Sequence, residues 1–240
     1  MRNILFEENS NNIFLSDSSN LNLTEIKILN HNCFEILQGC VLNIYATSLS
    51  VNQLIIEKLS SYKEEGTLYF WKSNGTLINL KLSNVKNFKQ KGSCLSIYES
   101  NLTLSQNIFY NYDSNCLFIQ ESILYLNNSI FNKNTNNLNG MIGDLGSIYG
   151  LNTQLYLENC IFNENRISAD GAAIFLKDSL SFKPSLKSIK SSVFYKNMAL
   201  KKGGGLYLKN QNLEISNCTF LENEAEQGGG IYLFNEGYIL

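Results

Sequence analysis

Residues 203–233 read GGGLYLKNQNLEISNCTFLENEAEQGGGIYL and contain the clearest repeat of the chain. A block of the form Gly-Gly-Gly-aliphatic-Tyr-Leu stands at both ends, at Gly203–Leu208 and Gly228–Leu233. Between them lies Leu-x-Ile-x-Asn-Cys-x-Phe-x-x-Asn, from Leu213 to Asn223. A repeat of about 25 residues with short alternating runs and no helical periodicity is typical of a β-solenoid.

The Phe-x-x-Asn element has clear earlier copies. The repeated pairs are Phe131 and Asn134, Phe162 and Asn165, Phe194 and Asn197, and Phe220 and Asn223. A short run of alternating aliphatic residues precedes each Phe, although Lys187 takes the first of the two positions before Phe194. The alternation places those residues on one face of a strand. Asn128, Asn159 and Asn217 each stand three residues before a Phe, where a bend is expected because Asn tolerates left-handed backbone geometry.

These repeats predict an all-β, single-stranded right-handed parallel β-helix, a pectin-lyase-like solenoid of eight or nine coils with three short strands per coil. We expect residues 1–240 to form one domain, with clear repeats over 92–233 and degenerate ones over 1–91. In the degenerate part Phe34, Tyr62 and Phe88 are the expected aromatic anchors. The predicted inward stack of the glycine blocks is Ile97, Ile119, Ile148, Ile174, Leu206 and Ile231.

Composition narrows the classes of function. The net charge of −2 and the 17% of charged residues give no reason to expect a nucleic-acid partner. The six cysteines form no C-x-x-C pair and there is one histidine, His31, so we expect no metal site and no cofactor. Cys160 and Cys218 lie two coils apart, too far for a disulfide, whereas Cys94 and Cys116 fall in successive blocks and could be neighbours.

The paired G-G-x-I and F-x-x-N elements resemble the repeats of the chlamydial polymorphic outer membrane proteins and of related right-handed parallel β-helix proteins. Large surface proteins of ciliates carry similar repeats. The resemblance covers about Gly92 to Leu233 and implies a secreted or cell-surface module for adhesion or display, with no catalytic residues. The opening residues lack a signal-peptide pattern, and no apolar run is long enough for a membrane helix.

One position of the glycine block is aromatic in six successive copies and is the candidate binding site. We call these residues the aromatic ladder: Tyr98, Phe118, Tyr149, Phe175, Tyr207 and Tyr232, with Tyr45 and Tyr69 as candidate extensions. Alternation points them outward, where a stacked stripe could contact glycans or surface proteins. Two structural explanations compete with binding. Aromatic residues favour strands and stack on like neighbours, and a loop could bury them.

An enzymatic alternative requires clustered carboxylates on the outer face. Asp144 and Asp170 precede successive glycine blocks and Glu226 could join them, although ordinary solvated turn residues explain all three. The leading hypothesis is a non-enzymatic, adhesin-like surface module for structural display or binding. The alternative is a carbohydrate-binding or polysaccharide-degrading β-helix enzyme.

The last glycine block begins a coil that the remaining seven residues, FNEGYIL, do not complete. Solenoids need polar terminal caps, because an uncapped last coil exposes apolar core and unpaired strand edges. The sequence therefore predicts that the chain is part of a longer protein and associates end to end when it is produced alone.

Overall fold

The computed structural model describes residues 1–7, 14–17, 20–33, 41–61, 66–87, 93–113, 115–136, 146–179 and 187–235. Every regular element in these ranges is a β-strand. The first nine are β1 Arg2–Glu7, β2 Phe14–Asp17, β3 Asn20–Leu29, β4 Asn32–Cys33, β5 Leu42–Tyr45, β6 Ser48–Ser61, β7 Leu68–Trp71, β8 Asn74–Ile78 and β9 Lys81–Asn87. The next ten are β10 Ser93–Tyr98, β11 Asn101–Ser105, β12 Ile108–Asp113, β13 Asn115–Gln120, β14 Ile123–Asn127, β15 Ile130–Asn132, β16 Thr135–Asn136, β17 Ile148–Leu151, β18 Gln154–Glu158 and β19 Ile161–Asn163. The last nine are β20 Arg166–Ile167, β21 Ile174–Lys177, β22 Lys187–Lys190, β23 Val193–Tyr195, β24 Met198–Ala199, β25 Leu206–Lys209, β26 Leu213–Ser216, β27 Thr219–Leu221 and β28 Ile231–Phe234.

The strands stack in parallel, so the predicted parallel β-helix is confirmed. The glycine blocks form a nine-stranded sheet in the order β2-β5-β7-β10-β13-β17-β21-β25-β28. The two later strands of each coil belong to one sixteen-stranded sheet, whose two arms meet at the long strand β6. The N-terminal part of β6 pairs with β8 and its C-terminal part with β9, so this strand runs through the corner between the arms.

A third sheet was not predicted from the sequence. It has three two-residue strands in the order β16-β20-β24, and each follows the Asn of a Phe-x-x-Asn element directly. Ile167 and Ala199 point from it into a small second apolar cluster with Ala172. Each of these coils therefore has a fourth short element after the Asn, and in the two later coils an inward aliphatic residue, Ile167 or Ala199, packs it against the stack.

Glycines appear in the blocks because successive coils approach one another closely. A side chain on Gly204 or Gly205 would place its Cβ 2.4 Å from the Gly229 carbonyl oxygen or 2.5 Å from that of Gly230. Gly228 has a left-handed φ of 62°, which L side chains rarely adopt. The block sequence is thus a steric requirement of the stack.

The phenylalanines of the repeat form a continuous stack in the core. Phe162 lies between Phe131 and Phe194, with ring centroids 4.7 and 5.0 Å away and nearly parallel planes. Phe109 and Phe220 extend the stack at its two ends. Burial of these rings removes a large apolar area from water and supplies much of the driving force for stacking the coils.

Aliphatic residues, and not the predicted aromatic anchors, continue the Phe row in the first third of the chain. Phe109 pairs in register with Leu82, and Leu82 pairs with Ile56, so aliphatic residues continue the Phe row there. Phe34, Tyr62 and Phe88 lie outside the described residues. Leu82 and Phe88 share the same phase of alternation, so the period-2 pattern alone could not choose between them.

The predicted inward stack also combined two rows of the glycine-block sheet. Ile148, Ile174, Leu206 and Ile231 form one row, which Leu95 and Leu117 continue. Ile97 and Ile119 belong to the next inward row, with Gly150 and Leu176. Both rows face the same core, and the shift of two residues preserves the inward direction.

The predicted bends are present where Asn precedes the third strand. Asn128, Asn159 and Asn217 have φ values of 49°, 52° and 52°. Gln106 and Ser191 take the same left-handed geometry at equivalent positions, with φ values of 59° and 48°. Within the described ranges, no helix has the length and apolar character needed to cross a membrane.

Candidate functional site

The asparagines of the Phe-x-x-Asn element form a hydrogen-bonded column, buried except at its last member, which we call the Asn ladder: Asn134, Asn165, Asn197 and Asn223. The Asn165 Nδ2 donates to Asn197 Oδ1 over 2.8 Å and to the Phe131 carbonyl over 3.1 Å. The Asn134 backbone N–H donates to Asn165 Oδ1 over 3.1 Å. Each amide therefore joins its coil to the coil on either side and satisfies buried backbone groups.

The aromatic ladder lies on the outer face of the glycine-block sheet. Phe118, Tyr149, Phe175, Tyr207 and Tyr232 pair in one register row. Tyr98 belongs to the next row, where it pairs with Trp71, while Ser96 holds its place in the ladder row. The Tyr98 ring nevertheless lies 5.4 Å from Phe118 and 5.5 Å from Tyr69, so it fills the gap above Ser96.

The ladder offers little surface to a ligand. Phe118, Phe175 and Tyr207 are only 5%, 1% and 8% exposed, and Tyr98, Tyr149 and Tyr232 are half-buried. The glycine turns pack beside the rings, since a Cβ on Gly171 would lie 2.9 Å from Phe175 Cβ and 3.0 Å from Tyr207 Cβ. The predicted exposed stripe is therefore wrong, because the rings are buried or half-buried. A binding role for these residues stays a prediction.

The carboxylates considered for catalysis are spread along the axis. Asp144 lies outside the described residues. Gly171 N–H bonds to the Lys202 carbonyl, and Lys202 pairs with Gln227, which places Asp170 and Glu226 two coils apart. Two coil spacings are about 9.6 Å. The intervening coil carries Lys201 and Lys202, and Lys202 Nζ lies 4.8 Å from the Tyr232 ring centroid.

A polar groove of about 710 Å³, here called the lateral groove, runs along the side of the stack next to the Asn ladder. Its lining residues form two rows, with Asn197 at the floor of the groove. The row that we call the turn row holds Asn111, Lys133, Glu164, Lys196 and Glu222, and the row that we call the strand row holds Thr135, Arg166, Met198 and Glu224. Lys133, Glu164, Lys196 and Glu222 have left-handed φ values between 53° and 56°, which swing these side chains outward at the same point of each coil.

The turn row alternates in charge along the stack. Lys133 Nζ lies 3.9 Å from Glu164, and Lys196 Nζ lies 3.5 Å from Glu222. All four side chains are about half exposed, so each pair adds little stability. The Tyr195 side chain, and then the Glu222 carboxylate, raise the pKa of the Lys196 ammonium above its ordinary value.

The strand row holds the cation at the centre of the groove. Arg166 pairs in register with Thr135 on one side and Met198 on the other, and Met198 bridges to Glu224. The Arg166 side chain is exposed, while the next residue, Ile167, is buried. Within the described part of the chain, no carboxylate forms an ion pair with Arg166.

Sequence reasoning missed the lateral groove. Its signal is the pair of residues directly after each repeat Asn, Arg166-Ile167 and Met198-Ala199, in which an outward residue precedes an inward aliphatic one. Two residues are too few for a periodicity argument, so this alternation stands out only after the coils are aligned.

A buried ion pair was missed as well. Lys187, which interrupts the aliphatic pattern of the repeat, occupies an inward position in register with Leu213. Its Nζ lies 2.6 Å from Asp178 Oδ2, and the two side chains are 1% and 4% exposed. Asp178 is therefore a buried residue whose carboxylate is paired within the fold.

The cysteines follow the predicted geometry where the structure describes them. The flanking register pairs, Ser93 with Asn115 and Leu95 with Leu117, make Cys94 and Cys116 direct neighbours. Both are free thiols, as are Cys160 and Cys218, whereas Cys33 is disulfide-bonded. Burial raises the pKa of the Cys160 thiol to about 12. Among the described residues, no three His, Cys, Asp or Glu side chains converge as metal ligands.

The fold and its repeats define a class, the parallel β-helix proteins with paired glycine-block and Phe-x-x-Asn elements. Comparison of the sequence with known proteins supports this class. A family model for the Chlamydia polymorphic membrane protein repeat matches residues 217–233, which contain one Phe-x-x-Asn element and the last glycine block. The chain is also 43% identical over 72 residues to the probable outer membrane protein PmpG of Chlamydia muridarum (strain MoPn / Nigg). The aligned region is 28% of this chain and 7% of that protein. The chain therefore resembles polymorphic membrane protein repeats and spans a small fraction of that relative's length.

Proposed function

We propose that this chain is a non-enzymatic, adhesin-like module of a cell-surface protein, which displays a rigid β-helical stem and contacts its partner through the lateral groove. The observation that carries the proposal is the groove itself, which five consecutive coils build in strict register. The Asn ladder and the Phe stack fix those coils from within. A contact surface that is rigid before binding loses little conformational entropy on association.

Two further features support a surface location. The relative that the chain resembles is a probable outer membrane protein. In addition, Cys33 is disulfide-bonded, and disulfides persist mainly in secreted and surface proteins.

The rival function is a carbohydrate-active enzyme. Hydrolysis at a glycosidic bond uses two carboxyl groups about 5–9.5 Å apart that face one bond. Asp170 and Glu226 lie two coils apart, with a lysine-bearing coil between them. In the groove, Glu164 and Glu222 are each engaged by a lysine. These arrangements favour binding over turnover.

A glycan array read together with a reducing-end release assay separates the two functions. We expect the purified chain to bind glycans on the array without releasing reducing ends. Measurable release would contradict the non-enzymatic function. Absence of both binding and release would contradict contact through the groove and would leave structural display alone.

A further inference from the structure

We propose that the lateral groove binds a carboxylate-bearing glycan. The sugar carboxylate contacts Arg166, and sugar hydroxyls contact Glu222 and Glu224 at the C-terminal end of the groove. This inference rests on the proposed function, because it names the ligand class of the same groove. It differs from that function in one respect that can be tested, since it requires an anionic group at one defined position.

The charge of the lining residues changes along the groove. The three central coils present Lys133, Arg166 and Lys196, and they present one carboxylate, Glu164. The next coil presents only acidic groups, Glu222 and Glu224. The groove is therefore cationic at its centre and acidic at one end, and a ligand must be complementary to both regions.

Arg166 supplies the specific contact. The lysines on either side have carboxylate partners at 3.9 and 3.5 Å, whereas the guanidinium has none among the described residues. Guanidinium presents a planar pair of N–H donors that matches a carboxylate in bidentate geometry. Met198, on the next coil of the same row, adds an apolar contact. The Thr135 hydroxyl, on the previous coil, donates to the Tyr112 carbonyl over 3.4 Å, so its oxygen can accept from a sugar hydroxyl.

The acidic end decides between glycans and acidic peptides. A polyanionic peptide that placed one carboxylate on Arg166 would bring others toward Glu222 and Glu224, where like charges repel. An acidic sugar carries its charge on one group and offers hydroxyl donors elsewhere, and these suit glutamate oxygens as acceptors. Because the rungs repeat about every 4.8 Å, successive sugar rings can contact successive coils.

The sugar carboxylate could belong to a sialic acid or to a uronic acid, and titration with one oligosaccharide of each kind distinguishes them. Isothermal titration calorimetry on the full 240-residue chain would use 3′-sialyllactose, a glucuronic-acid-containing tetrasaccharide, neutral lactose and a glutamate-rich peptide. We expect one or both acidic sugars to bind at least tenfold more tightly than lactose and the peptide. Methyl esterification of the sugar carboxylate should remove this tenfold difference in affinity. The test uses the unmodified protein and therefore does not depend on the folding of a variant.

The protein variants provide the matched test, because the chain has two arginines, Arg2 and Arg166. Arg166→Gln should weaken binding of the acidic sugar by about tenfold, as expected for loss of a charged bidentate hydrogen bond. Arg166→Lys should restore only part of the affinity, because it keeps the charge and loses the planar fork. Arg2→Gln, at an exposed strand far along the chain, should leave the affinity unchanged.

Each remaining outcome overturns the inference. Equal affinity for lactose, preference for the peptide, absence of all binding, or unchanged binding in Arg166→Gln would contradict the carboxylated glycan. Binding of a neutral glycan or of the peptide without turnover would still support the non-enzymatic function. Release of reducing ends would contradict that function whichever sugar is bound, so the two failures are distinguishable.

Discussion

The side-chain amide of Asn165 donates to Oδ1 of Asn197 on the next coil over 2.8 Å, and both residues are fully buried. The same amide reaches the Phe131 carbonyl, so one side chain binds three coils together. The Phe-x-x-Asn element is therefore an interlocking unit, in which the ring stacks in the core and the amide closes the turn beside it. The lateral groove depends on that unit, because its lining residues flank the Asn ladder.

Replacement of Asn165 by Ala should destabilise the fold strongly. The change removes the donor to Asn197 and to Phe131, and it leaves the Asn134 backbone N–H without its acceptor. Loss of several buried hydrogen bonds should lower the free energy of unfolding by about 2–4 kcal/mol, as measured by urea denaturation. Asn101→Ala, at an exposed strand position, is the matched control and should change it by less than about 0.5 kcal/mol. Equal effects of the two substitutions would refute the buried ladder.

Removal of one partner of the Asp178–Lys187 ion pair should lower the free energy of unfolding more than replacement of both residues by apolar ones. Asp178→Ala leaves a buried ammonium without its partner at 2.6 Å, so we expect a loss of about 3–5 kcal/mol. The double variant Asp178→Ala with Lys187→Met removes both charges and restores an apolar residue opposite Leu213. We expect the double variant to be more stable than the single one in thermal unfolding. Additive losses would show that the pair is not coupled.

The Cys160 thiol should make stability fall at alkaline pH. Its pKa is about 12 in the folded chain against an ordinary 9.0, because burial disfavours the thiolate. The folded state thus holds this proton more tightly, and the corresponding stability is present below pH 9 and is lost as the pH rises toward 12. From pH 9 to pH 10 the parent chain should lose about 1 kcal/mol more than Cys160→Ser. The serine matches Ser192 on the adjacent coil, to whose Oγ the Cys160 N–H donates. Parallel pH profiles would contradict a buried, protonated thiol.

End-to-end association should proceed through the last described coil. Ile231, Leu233 and Phe234 are 40%, 58% and 40% exposed, although the equivalent residues of inner coils are mostly buried. Strands β26, β27 and β28 each pair on one side only within the described residues. Light scattering of the 240-residue chain should therefore show species larger than a monomer at tens of micromolar.

The control for this association uses lysine at an exposed edge, which blocks strand pairing. Leu233→Lys together with Phe234→Lys should give a monomer, whereas Leu200→Lys, at a residue 62% exposed in a turn, should not. A clean monomer of the parent chain would contradict the prediction.

The sequence predicted the class of fold because the glycine block and the Phe-x-x-Asn element repeat with constant internal spacing. It predicted the left-handed bends at Asn128 and Asn159 because Asn is among the few residues that tolerate them. The register between neighbouring coils was harder to predict. Leu82 and Phe88 have the same phase, and the row of Tyr98 became clear only from its pairing with Trp71.

The candidate site was harder to predict than the fold. Outward alternation correctly places Phe175 and Tyr207 on the outer face, but it contains no information about the glycine turns that pack beside them. The lateral groove depends on Arg166 and its neighbours in two-residue strands, and it forms only because loops of different length return to the same register. A linear sequence without aligned coils does not bring those side chains together.

NMR can distinguish the lateral groove from the aromatic ladder as the contact surface. Backbone amide shifts of the isotope-labelled chain would be followed during titration with the acidic oligosaccharide. We predict that the perturbed amides cluster at residues 133–135, 164–166 and 196–198, on three consecutive coils around Arg166. Perturbations confined to the row of Tyr149, Phe175 and Tyr207 would contradict the account and would assign binding to the aromatic ladder.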